Sequence, residues 1–168
     1  MIENLQTERL ILRGWSLADF EVFAEFLTDE ELCKHRGGAV DRIGASNFMS
    51  MVTGQWILRG TGGYAIEERS LNKVIGMTGL WHPYDFAEPE LYWSIFRGFH
   101  GKGYATEAAA AVRDWAIRVK GISVMSFVSP ENLPSIKVAE RLGAVRDADS
   151  ALGGVTKFVF RHRLQDGK

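Results

Sequence analysis

Three glycines, Gly98, Gly101 and Gly103, stand in the stretch RGFHGKGYATEAAAAVRDWA, directly ahead of an alanine run that reads as helix. Residues without a Cβ let backbone amides come close to an anion, and a helix start adds unpaired amide donors and the positive end of the helix dipole. Anion binding is the chemistry this arrangement offers. Two phosphate loops are excluded by spacing. The triphosphate loop G-x-x-x-x-G-K-[ST] fails because Gly101-Lys102 is followed by Gly103 and Gly98 is too close. A dinucleotide fingerprint fails because Thr106 stands where a third glycine or alanine is needed, and no acidic residue follows about twenty positions on at a strand end. Taken alone, the glycines would equally shape a plain strand-to-helix turn.

Such a turn needs a strand before it and a sheet beneath it. Residues 9–13 (RLILR) read as a first strand, and Ser16 with Asp19 as the N-cap of a helix that puts Phe20, Phe23, Ala24 and Leu27 on one face. Residues 29–34 add a short helical piece, 36–44 read as a mobile loop and 45–59 as a second helix. Three strand-like stretches follow at 64–68, 74–81 and 90–96, joined as an antiparallel meander. Helix 104–119 buries a stripe of Ala105, Ala108, Ala109, Val112, Ala116 and Val119. A strand at 124–129, a helix at 133–142 stopped by Gly143, and a strand at 155–164 complete the chain. This order predicts an α/β fold, a mixed sheet of about six or seven strands with helices on both faces. Strands 90–96 and 124–129, joined by the long helix in a right-handed crossover, should lie parallel, with the glycines at the carboxyl end of the first, where open sheets bind ligands.

The composition fits one domain spanning residues 1–168, with 46% hydrophobic and 24% charged residues. A formal charge of −1 provides no basic field, so nucleic acid is not an expected partner. Cys33 is the single cysteine, which excludes an internal disulfide and a cysteine-based zinc site, and the four histidines lack metal-ligand spacing. No metal is expected. The opening MIENLQTERL lacks a signal-peptide pattern, and no apolar run reaches the ~20 residues of a membrane helix. A cytoplasmic protein, monomer or homodimer, is the expectation.

The stretch ELYWSIFRGFHGKGYATEA, followed by ENLPSIKVAERLGA, resembles the GNAT acetyltransferase superfamily. Gly101, Lys102, Gly103, Tyr104 and Ala105 match its pyrophosphate motif; Asn132, Ser135, Lys137, Val138, Glu140, Arg141, Leu142 and Gly143 match its second signature. The opening TERLILRGWSLADFEVFAEFL and the closing VFRHRL look like the branch containing bacterial ribosomal-protein N-terminal acetyltransferases, so the resemblance spans nearly the whole chain. Many members carry Gln or Arg where this chain has Gly98, with Arg97 beside it.

The resemblance implies an enzyme that binds acetyl-CoA and moves its acetyl group to a primary amine, foremost a protein or peptide N-terminal α-amine. It implies that the pantetheine arm pairs with backbone at Ser94, Ile95 and Phe96 where the sheet opens, and that the diphosphate rests on the amides of Gly101 to Ala105, with Gly98 beside them among the cofactor-binding residues. Lys102 and Lys137 would add charge there, or are ordinary solvated lysines. Asn132 would contact the CoA arm, cap the helix beginning at Leu133 and Pro134, or do both. Ser135 would reach the thioester sulfur or be a plain first-turn residue. Tyrosine serves as acid in many relatives, but Tyr104 is the last tyrosine and sits at the pyrophosphate turn, leaving Ser135 or water. Glu90, on the cofactor strand with Tyr92 and Ser94 on its face, is the candidate base, or a solvated strand-end carboxylate; His82, Asp85 and Glu88 stand near as substitutes. An α-amine, with a pKa of about 8, yields its proton far more easily than lysine at about 10.4, so little base strength is required. The rivals are acetylation of a small amine (a polyamine, amino acid or aminoglycoside) and a non-catalytic acyl-CoA-binding module.

Overall fold

Alternation along β2 (Leu10–Arg13) sends Leu10 and Leu12 into the core, while β1 (Leu5–Gln6) pairs outside it. The computed structural model describes residues 2–147, 149–152 and 154–164. Asp19 turns the chain after β2: its carboxylate accepts from the Ser16 amide and hydroxyl, both at 2.9 Å, and from the Arg13 guanidinium. Helix α1 (Phe20–Leu27) follows, then α2 (Glu30–Cys33), capped by Asp29. Helix α3 (Arg42–Arg59) begins at Arg42 rather than at residue 45, because Asp41 caps it through the Gly44 amide. The segment before it is joined by backbone hydrogen bonds to the helices it follows: the Gly38 amide donates to Cys33 at 3.0 Å and the Val40 amide to Leu27 at 2.9 Å.

Strands β3 (Gly63–Glu68), β4 (Lys73–Trp81) and β5 (Glu90–Ile95) form the expected antiparallel meander. Helix α4 (Tyr104–Arg118) leads to β6 (Met125–Val128), which lies parallel to β5. After α5 (Leu133–Arg141) come β7 (Val145–Arg146), β8 (Ser150–Leu152) and β9 (Val155–Arg161). The order is β1-β2-β3-β4-β5-β6-β9-β7, with β8 on β9, so the described residues hold nine strands and not six or seven. The added β1, β7 and β8 are two or three residues long. Segments so short show no alternation in sequence; they become strands because a neighbouring edge offers unpaired backbone groups.

Each face of the sheet has its own core. Leu91 and Ile95 of β5 pack with Ala108, Ala109, Val112 and Ala116 of α4, whereas Tyr92 and Phe96 join Phe23, Phe26, Met49 and Val52 of α1 and α3. The stripe predicted for α4 therefore holds except at Val119, which lies past the helix end and is 63% exposed. Buried Arg113 of α4 donates from Nη1 to the Leu142 carbonyl at 2.6 Å, fastening the end of α5 to α4.

Candidate active site

Strands β5 and β6 share one ladder pair, Glu90 with Met125, and then part. Ser126 sits at the fork, its hydroxyl donating to the Leu91 carbonyl at 2.5 Å and lying 2.8 Å from His162 Nε2. Leu91 thus turns its carbonyl toward β6, while the Phe96 amide donates to Ile75 on the β4 side. By strand alternation the amides of Trp93 and Ile95 face the opening, and those of Ser94 and Phe96 face β4. Trp93 is a backbone candidate that sequence reasoning missed, because only the register with β4 shows which amides are spent. The Ile95 carbonyl already accepts from His100 Nε2 at 2.6 Å.

The parted strands open a cavity of about 1290 Å³. Glu90, Ser94, Ile95, Gly101, Gly103, Tyr104, Ala105, Asn132, Ser135 and Lys137 line it, bringing together residues from β5, the glycine turn and α5. Phe96, Gly98 and Lys102 do not line it. Phe96 is buried and stacked on Phe26 with ring centroids 4.9 Å apart. Lys102 turns its ammonium over the Phe99 ring at 5.7 Å. Arg97 does not stand in for a residue at Gly98; it is ion-paired with Asp29 at 2.6 Å.

At the glycine turn, Gly101 (φ 76°) and Gly103 (φ 81°) adopt left-handed backbone. The first intrahelical bond of α4 runs from the Glu107 amide to Gly103, so the amides of Tyr104, Ala105 and Thr106 have no partner within the helix. A Cβ at Gly101 would meet nothing within 4 Å, and one at Gly103 only Arg9 Nη2 at 3.6 Å. The glycines are thus required by backbone conformation, and the space beside the amides is open, as a diphosphate cradle needs. The turn also has a support invisible in any local pattern. Arg9 Nη1 donates to the Lys102 carbonyl at 3.0 Å and its guanidinium covers the Tyr104 ring at 4.5 Å. Glu107 accepts from the Thr7 hydroxyl at 2.5 Å, the Arg9 amide at 3.0 Å and Arg9 Nε at 2.7 Å. Burial alone would raise the Glu107 carboxyl, but these hydrogen bonds outweigh it and hold the group below its usual range.

Asn132 caps α5, its Oδ1 accepting from the Ser135 amide at 3.2 Å, which leaves its Nδ2 donors for a ligand. Glu90 is half-buried where the strands part. Burial pushes its carboxyl up to about 7, against the opposing pull of the Phe127 amide and of the Lys157 and Arg36 cations. His82, Asp85 and Glu88 do not line the cavity. The His82 ring bonds the Phe86 carbonyl at 3.1 Å, and Glu88 is ion-paired with Arg161. The Tyr92 hydroxyl is buried and unpartnered, and burial pushes its phenol up. Cys33 lies outside the cavity, its thiol against the Phe26 carbonyl at 3.3 Å and raised by burial.

A sheet that opens beside the cofactor strand and an amide cradle at a helix start are features the sequence resemblance implied together, and residues 9–145 match the family model of the acetyltransferase (GNAT) domain. The chain belongs to the GNAT acetyltransferase family. An acetyltransferase of Agrobacterium tumefaciens is 33% identical, with a TM-score of 0.90 over 98% of this chain and 96% of that one. The uncharacterized N-acetyltransferase p20 of Bacillus licheniformis is 28% identical over 161 residues, 90% of each chain. Two Vibrio enzymes share the fold: a ribosomal-protein-S5-alanine acetyltransferase of V. fischeri (16% identity, TM-score 0.76, 98% and 97% covered) and a spermidine N-acetyltransferase of V. cholerae solved with CoA and spermine (15%, 0.74, 92% and 94%). GNAT acetyltransferases use acetyl-CoA, and the open amides, left-handed glycines and α5 cap of this chain fit that molecule. Among the described residues no helix is long and apolar enough to cross a membrane.

Proposed function

We propose that this GNAT acetyltransferase moves the acetyl group of acetyl-CoA to the α-amine of a protein or peptide N-terminus, by direct attack with both substrates bound. The single observation that carries the reading is Glu90, a carboxyl of near-neutral pKa in the fork where the sheet parts. A base of that strength can take the proton of an α-amine at about 8 but is poorly matched to a lysine at about 10.4. The resemblance of the chain's opening to ribosomal-protein N-terminal acetyltransferases supports the same acceptor, as does the likeness in fold to the ribosomal-protein-S5-alanine acetyltransferase of V. fischeri.

Acetyl-CoA, when bound, supplies an activated acetyl thioester. The protein's part is to hold and orient. Amides of the glycine turn and of Tyr104 to Thr106 hold the diphosphate, with Lys137 at the cavity wall; the outward amides of Trp93 and Ile95 and the Asn132 side chain orient the arm. Glu90 receives the amine proton, and the Ser135 hydroxyl donates to the sulfur as negative charge develops there. Cys33 is outside the cavity and its thiol is raised, so direct attack is favoured over an acyl-cysteine relay.

A thiol-release assay with acetyl-CoA tests this, using peptides with free N-termini, the same peptides formylated at the α-amine but carrying lysine, and a panel of small amines. Turnover is expected on the free N-termini and is lost on formylation. Release with spermidine or an amino sugar alone would assign the small-amine reading, and CoA binding without release on any amine would assign a binding module.

A further inference from the structure

Arg36 lies on the segment between α2 and α3, where the sequence showed only a loop. That segment is fixed: the Arg36 amide donates to Cys33 at 3.0 Å, and the His35 carbonyl accepts from Ser129 Oγ and Lys157 Nζ, both at 3.4 Å. The guanidinium carbon lies over the Phe26 ring at 5.4 Å and the Phe48 ring at 4.9 Å, two cation–π contacts that hold the charge in place. It lines the same cavity as Glu90. Its Nη1 is buried yet has no hydrogen-bond partner, with the Cys33 thiol as a weak polar neighbour. A buried guanidinium donor left unpaired is costly, and the group cannot shed its charge to escape the cost. Arg36 and Glu90 feel each other's charge, but they form no ion pair within 4.0 Å. The shared cavity, with the unpartnered Arg36 Nη1 on one side and the Glu90 carboxyl, which accepts from the Phe127 amide, on another, matches a ligand with an amine at one end and an oxygen acceptor beside it.

We infer that Arg36 recognises the acceptor by donating from Nη1 to an oxygen carried next to the reacting amine, so that the substrates are α-amino acyl compounds. This rests on the reading of Glu90 as the point where the amine is held. The oxygen is either the first peptide carbonyl of a chain or the carboxylate of a free amino acid. A polyamine has no such oxygen and brings positive charge toward Arg36.

The test compares wild type, Arg36→Met and Arg36→Lys on three acceptors: alanylglycine amide, free alanine and propylamine, which lacks the oxygen. In Arg36→Met, kcat/KM for the oxygen-bearing acceptors should fall at least tenfold, mainly through KM, while propylamine, poor with wild type, becomes no poorer. CoA affinity by calorimetry and the unfolding temperature should stay unchanged, and Arg36→Lys should recover part of the loss. Use of the dipeptide amide without free alanine identifies the peptide carbonyl as the oxygen; the reverse identifies the carboxylate. An equal fall on all three acceptors would mean that Arg36 acts through Glu90 or the fold, and no fall would mean that it does not touch the acceptor; either overturns the inference alone. Wild-type turnover confined to amines without the oxygen would overturn both this inference and the N-terminal acceptor.

Discussion

Burial gives Glu90 two properties with one cause. Its carboxyl titrates near 7, where a base for an α-amine is most effective, and the folded protein must deprotonate it against desolvation. In the wild type kcat/KM should level off near pH 7, while Glu90→Gln should keep rising toward the amine's own pKa of about 8. The rate gap should be largest below pH 7, on the order of 10²-fold, and shrink above it. Parallel pH profiles would remove Glu90 as the base. Because the folded pKa lies above the unfolded value of about 4.3, the stability tied to this group is present below that value and lost as pH rises through 7. Glu90→Gln should therefore raise the unfolding temperature at pH 8 and leave it nearly unchanged at pH 4, a shift that scanning calorimetry at the two pH values would read.

Two helix starts, each built differently, wall the cofactor side. The start of α4 depends on left-handed glycines and on Arg9, which reaches it from the chain's N-terminal end. Gly103→Glu should abolish measurable CoA binding in a folded protein, by placing a carboxylate and a strained φ at the cradle. Arg9→Met should weaken CoA binding several-fold by releasing the Lys102 carbonyl. Isothermal calorimetry of both variants, with circular dichroism to confirm folding, checks this. The start of α5 depends on Asn132, so Asn132→Ala should weaken CoA binding and cost roughly 1 kcal/mol of stability. Ser135→Ala should lower kcat and leave the CoA dissociation constant almost unchanged, since a donor to sulfur gains strength only in the transition state. A rise in that constant with kcat intact would make Ser135 a binding contact.

At the scale of the whole molecule, the fork in the sheet is kept open by a device spanning three strands. Ser126 of β6 satisfies the Leu91 carbonyl of β5 that a longer ladder would have used, and His162, just past β9, buttresses Ser126. Burial, with Arg113 nearby, pushes the His162 imidazole down to about 4. A folded pKa below the unfolded ~6.5 means that stability is complete above 6.5 and is lost as pH falls toward 4, because the unfolded chain binds the proton first. Over the same interval the raised Glu90 carboxyl works in the opposite direction, gaining stability as pH falls from 7, so the His162 contribution is read as the difference between wild type and a His162 variant rather than from the wild type alone. His162→Asn should unfold at a lower temperature than wild type at pH 7, with the deficit shrinking by pH 4.5; a deficit that does not change with pH would mean that His162 does not bind the proton on unfolding.

What was legible in the chain was whatever repeats or caps locally. The alternation of β2 and β5, the α4 stripe, the Asp19 and Asn132 caps and the glycine spacing are all set by interactions within a few residues, so pattern reading found them. The family signature added the residues of the two helix starts. Tertiary structure alone decided which of these residues meet. Register with β4 turned the amides of Trp93 and Ile95 toward the cleft, packing drew Phe96 into the core, and Arg9 came to brace a turn more than ninety positions away. Arg36 is the sharpest case: a loop arginine in sequence, and in the fold a cation clamped between Phe26 and Phe48, facing the same cavity as Glu90. Burial and proximity across the chain are collective properties of the packed sheet and its helices, and a local pattern cannot encode the desolvation that tunes Glu90.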